Sequence, residues 1–281
     1  MKPVALIGAA FSVGGASPGT RRGCIFYRRS ACNQHRFRWL DMIWQPAGPL
    51  QNYPQGLPAL RHSCRQLAQK TAWRRRSHLP VIIGGDHSCA IGTWHGMYAN
   101  RRRLGLLWID AHFDSHTPVT SQSLHMHGMP LAVLLGESGD EWGWPAHAVV
   151  DARHTVVFGV RSFEEGEPQL LQRHGVRFYT MNEIRKRGLY RCLTEAWRLV
   201  AASPGGFGVS LDLDGLDPSF APAVSVREPR GLSLPRLRQA LAQQRRDRLK
   251  ALEITEFNPY REHDKRTVKA LTTLIVTLTS R

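Results

Sequence analysis

The chain has 281 residues, 42% of them hydrophobic, 9% aromatic and 21% charged; that balance excludes a mainly disordered or fibrous chain and leaves enough length for one large core without disulfide or metal staples. Thirty-eight basic residues against 22 acidic ones give a formal charge of +16, but no nucleic-acid-binding motif accompanies it, and runs such as 74–76, 101–103 and 245–246 read as a solvated, arginine-biased surface. No apolar run approaches the roughly 18 residues of a membrane-spanning helix, and five cysteines (Cys24, Cys32, Cys64, Cys89, Cys192) without CxxC spacing suit reduced thiols in a cytoplasmic protein.

In chain order, the residues after Lys2 open a buried strand over 4–10 rather than a secretion signal, because the polar, glycine-rich GGASPGTRRG follows too soon. That segment, 14–23, reads as a loop. A helix over 57–71 leads to a strand over 79–84, and a helix over 90–98 to a strand over 104–110. A helix over 130–136 runs through the loop GESGDEWGWPAH to a strand over 155–160. Next come a helix over 167–174, a short strand over 176–179, a long helix over 181–200 and a strand over 207–214. A polar loop over 218–231, a helix over 234–244, a strand over 249–257 and a helix over 265–279 end the chain. The alternation predicts an α/β fold with a mostly parallel sheet. No linker or internal repeat divides it, so 1–281 reads as a single domain.

Three of these strands end in acidic, histidine-bearing motifs: VIIGGDHS (81–88), LLWIDAHFDSH (106–116) and VSLDLDGLDP (209–218). In an open parallel sheet the carboxyl ends of the strands line the ligand crevice. If the strands continue through the motifs, Asp110, His112 and Asp114 share one face, as do Asp212 and Asp214, and His87 arrives from a neighbouring strand end. A lone Asp at a strand end more often caps a turn, but three such motifs at three successive strand ends favour a shared centre. Four converging carboxylates are too costly to bury without cations. Six oxygen-rich ligands with no thiolate are too many for one tetrahedral zinc and suit an octahedral ion such as Mn²⁺, in a pair roughly 3.5 to 4 Å apart.

The motifs GGDHS, DAHFDSHTP, HGMP, SLDLDGLDPSFAP and EITEFNP follow in the order and approximate spacing of the ureohydrolases, the arginase, agmatinase and formimidoylglutamase group. HGMP with EFNP looks most like arginase, and the resemblance runs from LIGAAFSVGG near the start to the last helix. It implies a three-layer α/β/α sandwich that assembles into a homo-oligomer, a trimer or hexamer. It also implies two Mn²⁺ per chain, one held by His87, Asp110, Asp114 and Asp212, the other by Asp110, His112, Asp212 and Asp214, with Asp110 and Asp212 bridging. A guanidinium carbon is a poor electrophile, and two metals supply hydroxide near neutral pH by lowering the pKa of a shared water.

By the same resemblance, Asp114 orients the attacking hydroxide, Glu256 holds the guanidinium and His127 passes a proton to the leaving amine. Read from the residues alone, Glu256 could be a surface carboxylate and His127 a solvent-facing bystander. Ser121 and Ser123 take positions that face a substrate α-carboxylate, with His116 at that end where arginases commonly carry Asn, and His125 replacing another Asn. Glu164 and Glu167 take the places of acids facing the α-amino group, beside Ser162 in place of an Asp, and the family's GTP-like turn reads SVR at 225–227. Asp86 and Asp217 read as braces, and Gly84 and Gly85 as points of close backbone approach. The implied substrate is a small guanidino molecule, L-arginine, cleaved to L-ornithine and urea. Agmatine, guanidinobutyrate and formimidoylglutamate are the alternatives within the group, and an inactive fold acting as a basic binding module is the alternative outside it.

Overall fold

The computed structural model describes residues 2–30, 37–46, 50–98, 101–137, 140–144 and 147–280. Among these residues eight strands form one sheet: β1 (Val4–Ala10), β2 (Arg38–Trp44), β3 (Leu79–Ile83), β4 (Leu104–Ile109), β5 (Val150–Val160), β6 (Arg177–Thr180), β7 (Phe207–Asp212) and β8 (Leu249–Thr255). Every pairing is parallel, in the order β2-β1-β3-β8-β7-β4-β5-β6. Strands β3, β4 and β7 are buried along their whole length, which is why they read as unbroken apolar runs: a parallel sheet is covered on both faces.

The nine α-helices among the described residues are α1 (Gly23–Ser30), α2 (Leu57–Arg74), α3 (Ala90–Met97), α4 (Pro130–Leu135), α5 (Glu167–Arg173), α6 (Met181–Arg187), α7 (Leu189–Ala201), α8 (Leu234–Ala242) and α9 (Arg266–Thr279). Helices α1, α6, α7, α8 and α9 pack with Leu6, Val81, Leu107 and Val209 on one face of the sheet. On the other face, α2 to α5 pack with Ile7, Ile82, Leu106 and Trp108. Neighbouring residues in a strand thus feed opposite cores, as the two-residue period requires. The result is the three-layer α/β/α sandwich. No helix among the described residues is long and apolar enough to cross a membrane.

Four differences from the sequence reading matter. The edge strand β2 is half-buried, RWLDMIW, and its mixed face hides the alternation. Helix α1 starts at Gly23, the last residue of the expected loop, where the sequence reading places no helix. The long helix expected over 181–200 is two helices, broken at Gly188, whose φ of 89° a helix cannot continue through. Strands β4 and β7 stop at Ile109 and Asp212. Cys32 and parts of the loop over 136–147 fall outside the described residues, and the other four cysteines are buried and free.

The sheet positions the site through register. Ile83 pairs with Ile254, Ile254 with Leu211, and Leu211 with Ile109. The carboxyl ends of β3, β8, β7 and β4 therefore form one row. Strand β8 lies between β3 and β7, so the three motifs do not occupy successive strand ends: the segment carrying Glu256 separates His87 from the two aspartate motifs.

Candidate metal centre and substrate pocket

Beyond β3 the chain turns sharply. Gly85 is required there, because a Cβ would stand 1.9 Å from the Phe11 carbonyl oxygen. Asp86 caps the next turn, its Oδ1 accepting from the Ser88 amide at 3.1 Å and from the Ser88 hydroxyl. That turn delivers His87, which is buried and stacked on Trp108 with ring centroids 4.1 Å apart. His87 Nε2 lies 2.9 Å from Ser210 Oγ, Ser210 Oγ donates to Glu253 Oε2 at 2.8 Å, and Glu253 Oε1 accepts from Thr93 Oγ1 at 2.5 Å. Because the Ser210 proton is committed to Glu253, Ser210 accepts from His87, which assigns the imidazole proton to Nε2. His87 Nδ1 then faces Asp114 Oδ2 at 3.0 Å, Asp110 Oδ2 at 3.1 Å and Asp212 Oδ2 at 3.2 Å.

The aspartates are set by turns rather than by strand alternation, because Asp110, His112 and Asp114 lie beyond the end of β4 and Asp214 beyond β7. Asp110 Oδ1 accepts from the His112 amide at 2.7 Å, and its Oδ2 from Trp108 Nε1 at 3.0 Å. Asp212 Oδ1 accepts from the Asp214 amide at 2.8 Å, and Asp214 Oδ1 from the Ala111 amide at 3.3 Å. His112 Nδ1 lies 3.2 Å from Asp214 Oδ2 and 3.4 Å from Asp110 Oδ1. Two ligand clusters result, His87 with Asp110 and Asp114, and Asp110 with His112 and Asp214, sharing Asp110. Asp212 joins the first through His87.

This donor set fits cations. His87 Nδ1 is buried and faces three carboxylate oxygens at 3.0 to 3.2 Å, a gathering of negative charge that needs a positive charge between its members. The electrostatics carry the same sign. Burial, and then the neighbouring Asp110, raises Asp114 to about 7; burial, then Asp214 and Asp110, raises Asp212 well above the usual carboxylate range. Burial opposes charge on His87 and His112, yet the surrounding aspartates raise both rings well above ordinary histidine, so without an ion each ring draws a second proton to the face that meets the carboxylates. The cluster draws in positive charge, and a divalent ion supplies it in place of the protons that these groups otherwise hold.

Above the cluster a cavity of about 270 Å³ opens, with His112, Asp114, Asp212 and Asp214 in its lining and His87 and Asp110 beneath. Glu256 is buried, at a left-handed φ of 65°, a conformation uncommon for a residue with a side chain. Its Oε1 accepts from the His87 amide at 3.0 Å and lies 3.2 Å from His127 Nδ1. Burial lowers the His127 pKa, but the hydrogen bond and charge of Glu256 outweigh that and raise it to about 9. Both residues line the cavity, so neither is a surface group.

The other expected substrate contacts also line it. Ser121 Oγ accepts from the Leu124 amide at 3.0 Å and Ser123 Oγ from the His125 amide at 3.2 Å, which leaves both hydroxyl protons free to be donated. Glu164 and Glu167 differ. Glu167 is buried and accepts from the Ser115 and Glu164 amides at 3.2 and 3.0 Å, whereas the Glu164 side chain is 53% exposed. His116 Nε2 sits 3.4 Å from Glu167 and 3.5 Å from Glu164, so the structure places this ring against the acids.

Several residues at the site carry no motif. Glu228 and Phe163 line the cavity, and Glu228 Oε1 lies 3.7 Å from His112 Nε2. Arg161 spends its guanidinium on backbone carbonyls of both the metal turn and the loop that carries Glu228, at Asp214 (2.6 Å), Leu216 (3.3 Å), Gly215 (3.3 Å), Glu228 (2.8 Å) and Pro229 (3.1 Å). Only the arginine in GVRS, beside the acids already singled out, offered a hint of this.

Comparison with known proteins agrees with this geometry. The family model described as the arginase family matches residues 2–280. The chain is 32% identical over 298 residues to an arginase of Bacillus caldovelox, covering 99% of this chain and 98% of that one. The crystal structure of an arginase from Bacillus subtilis superposes with a TM-score of 0.91 at 30% identity, over 100% of this chain and 99% of the other. An Entamoeba histolytica arginase, solved in complex with L-ornithine, superposes with a TM-score of 0.89 at 25% identity, over 99% and 98%.

Proposed function

The chain belongs to the arginase family, and from that premise we propose that it hydrolyses L-arginine to L-ornithine and urea with two Mn²⁺ held by His87, His112 and Asp110, Asp114, Asp212 and Asp214. It is a hydrolase acting on the C–N bond of amidines. The observation that carries the metal assignment is the buried His87 Nδ1 set 3.0 to 3.2 Å from the carboxylates of Asp114, Asp110 and Asp212, while its Nε2 is held by Ser210. When bound, the ions supply charge neutralisation and the Lewis acidity that brings the pKa of water toward neutrality.

The chain's own residues supply orientation and proton movement. Glu256, buried at the cavity floor, holds the guanidinium. Asp114 orients the attacking water by accepting its hydrogen bond. His127, kept protonated by Glu256, delivers a proton to the departing amine nitrogen. At the outer end, Ser121 and Ser123 donate their free hydroxyls to the α-carboxylate, and Glu164 receives the α-ammonium. Glu167 anchors Glu164 through its backbone amide, and His116 bridges the two acids. The relative solved with L-ornithine supports an amino acid tail over a simple amine. The same reading takes 1–281 as one domain of a cytoplasmic trimer or hexamer, which native mass measurement tests.

The deciding experiment offers Mn²⁺-loaded protein arginine, agmatine, guanidinobutyrate and formimidoylglutamate side by side, with urea or, for the last, formamide as the readout. Arginine should be the fastest. A higher kcat/KM for any other member reassigns the substrate while leaving the hydrolase in place. No turnover of any of them favours the binding-module reading.

A further inference from the structure

Basic runs that look scattered along the chain come together in the fold. Lys2 lies two residues before β1, 74–76 just before β3, 101–103 just before β4, and 245–248 just before β8. Strands β1, β3, β8, β7 and β4 are parallel and adjacent, so these segments share the amino-terminal edge of the sheet, opposite the metal ligands. A cavity of about 730 Å³ opens there, lined by Lys2, Arg75, Arg102, Arg248 and Lys250. Among the described residues its lining contains one acid, Asp247, which lies 3.4 Å from Arg245.

Among the described residues none of the five cations forms an ion pair. Lys2 Nζ donates to the carbonyls of Arg75 and Arg76 at 2.7 and 2.8 Å, and Arg248 to those of Ser203 and Pro204 at 2.6 and 3.2 Å. These bonds fix the cationic heads in place without neutralising them. Arg75 Nε is buried and finds no acceptor among the described residues. Gly206, at φ 83°, makes room for Lys250, since a Cβ there would stand 2.5 Å from Lys250 Cε. Preset, uncompensated positive charge in a concave wall focuses potential on the cavity and matches the oxygens of phosphate groups. The volume is that of a small-molecule site. Charges converging on a hollow suit a compact polyanion better than a duplex, which needs a stripe of cations along a groove.

We propose that this cavity binds a short chain of linked phosphates, free or carried by a nucleoside. The site is independent of the amidine chemistry at the other edge of the sheet.

The test is calorimetric titration of the full-length, metal-loaded protein with inorganic triphosphate and with ADP at physiological salt. Each should bind saturably at one site per chain, and ADP binding tighter than triphosphate would identify a nucleotide as the source, the reverse an inorganic one. The double variant Arg75→Gln/Lys250→Gln should weaken binding about tenfold or more. Arg236→Ser/Arg238→Ser, which removes the same charge from exposed positions on α8, should change it less than twofold. Urea release by both variants should match the wild type. Failure to saturate at millimolar ligand, equal loss in both variants, or a short oligonucleotide binding more tightly than either probe would each overturn the proposal.

Discussion

His87 and Ser210 meet at 2.9 Å across two different strand ends, and the Ser210 proton is already given to Glu253. That contact decides which imidazole nitrogen faces the carboxylates. Ser210→Ala should release the tautomer and cost roughly 10- to 100-fold in metal affinity, as loss of an outer hydrogen-bonding partner of a ligating histidine does. Metal content after dialysis, with turnover recovered at high Mn²⁺, checks it; retention equal to wild type would make the contact incidental.

Asp110 stands in both ligand clusters. Asp110→Asn and Asp212→Asn should each abolish turnover and lower metal content. Stripping the metal from the wild-type protein should abolish turnover too, and should lower Tm, because four buried carboxylates lose the charge that only the folded state binds. Metal analysis beside thermal melts gives the answer.

Proton transfer by a positioned histidine contributes typically about 10² to 10⁴ in rate. His127→Asn should therefore lower kcat by that order with metal content intact, and small imidazoles should restore part of it. Unchanged kinetics would remove His127 from the mechanism.

Glu164 is the more exposed of the paired acids and the one free to meet an ammonium. Glu164→Ala should harm arginine more than guanidinobutyrate, which lacks the amine, narrowing a preference on the order of 10² or more. Comparing kcat/KM for the two substrates in both proteins measures it.

His95 is buried against Trp144, with Nδ1 donating to the Ile91 carbonyl at 2.7 Å. Burial lowers its pKa to about 4. Between the ordinary histidine value of about 6.5 and that value the unfolded chain binds more protons, so stability falls as pH drops through this window, by about 3 kcal/mol at most. Urea denaturation at pH 7 and pH 5 should show a smaller loss in His95→Gln than in the wild type.

The metal centre was legible because its chemistry is written in contiguous runs: DAHFD and DLD place ligands two residues apart at the ends of strands whose apolar runs are themselves plain. What was not legible depends on distant segments. Ser210, Glu253 and Thr93 come from β7, β8 and α3 and look like ordinary core positions until the register of the sheet aligns them. The insertion of β8 between β3 and β7 is likewise a property of strand order, which no local pattern encodes. Edge strand β2 was missed because its half-exposed side chains lack a clean period, and the break at Gly188 because the apolar positions of α6 and α7 run on through it. His116 shows the same limit at the level of one residue, since its place in the motif gave no sign that its ring lies between two glutamates.

The contacts of Arg161 make the loop that carries Glu228 and the turn that carries Asp214 a single mechanical part. A planar fork satisfies those separate carbonyls at once, and a lysine, with one compact head, has no equivalent geometry. Remodelling that stretch of pocket wall to accept a different substrate tail therefore also works against the turn beneath it. Changes in specificity are more freely made where Ser121 and Ser123 line the pocket, because they hang from local turns of their own.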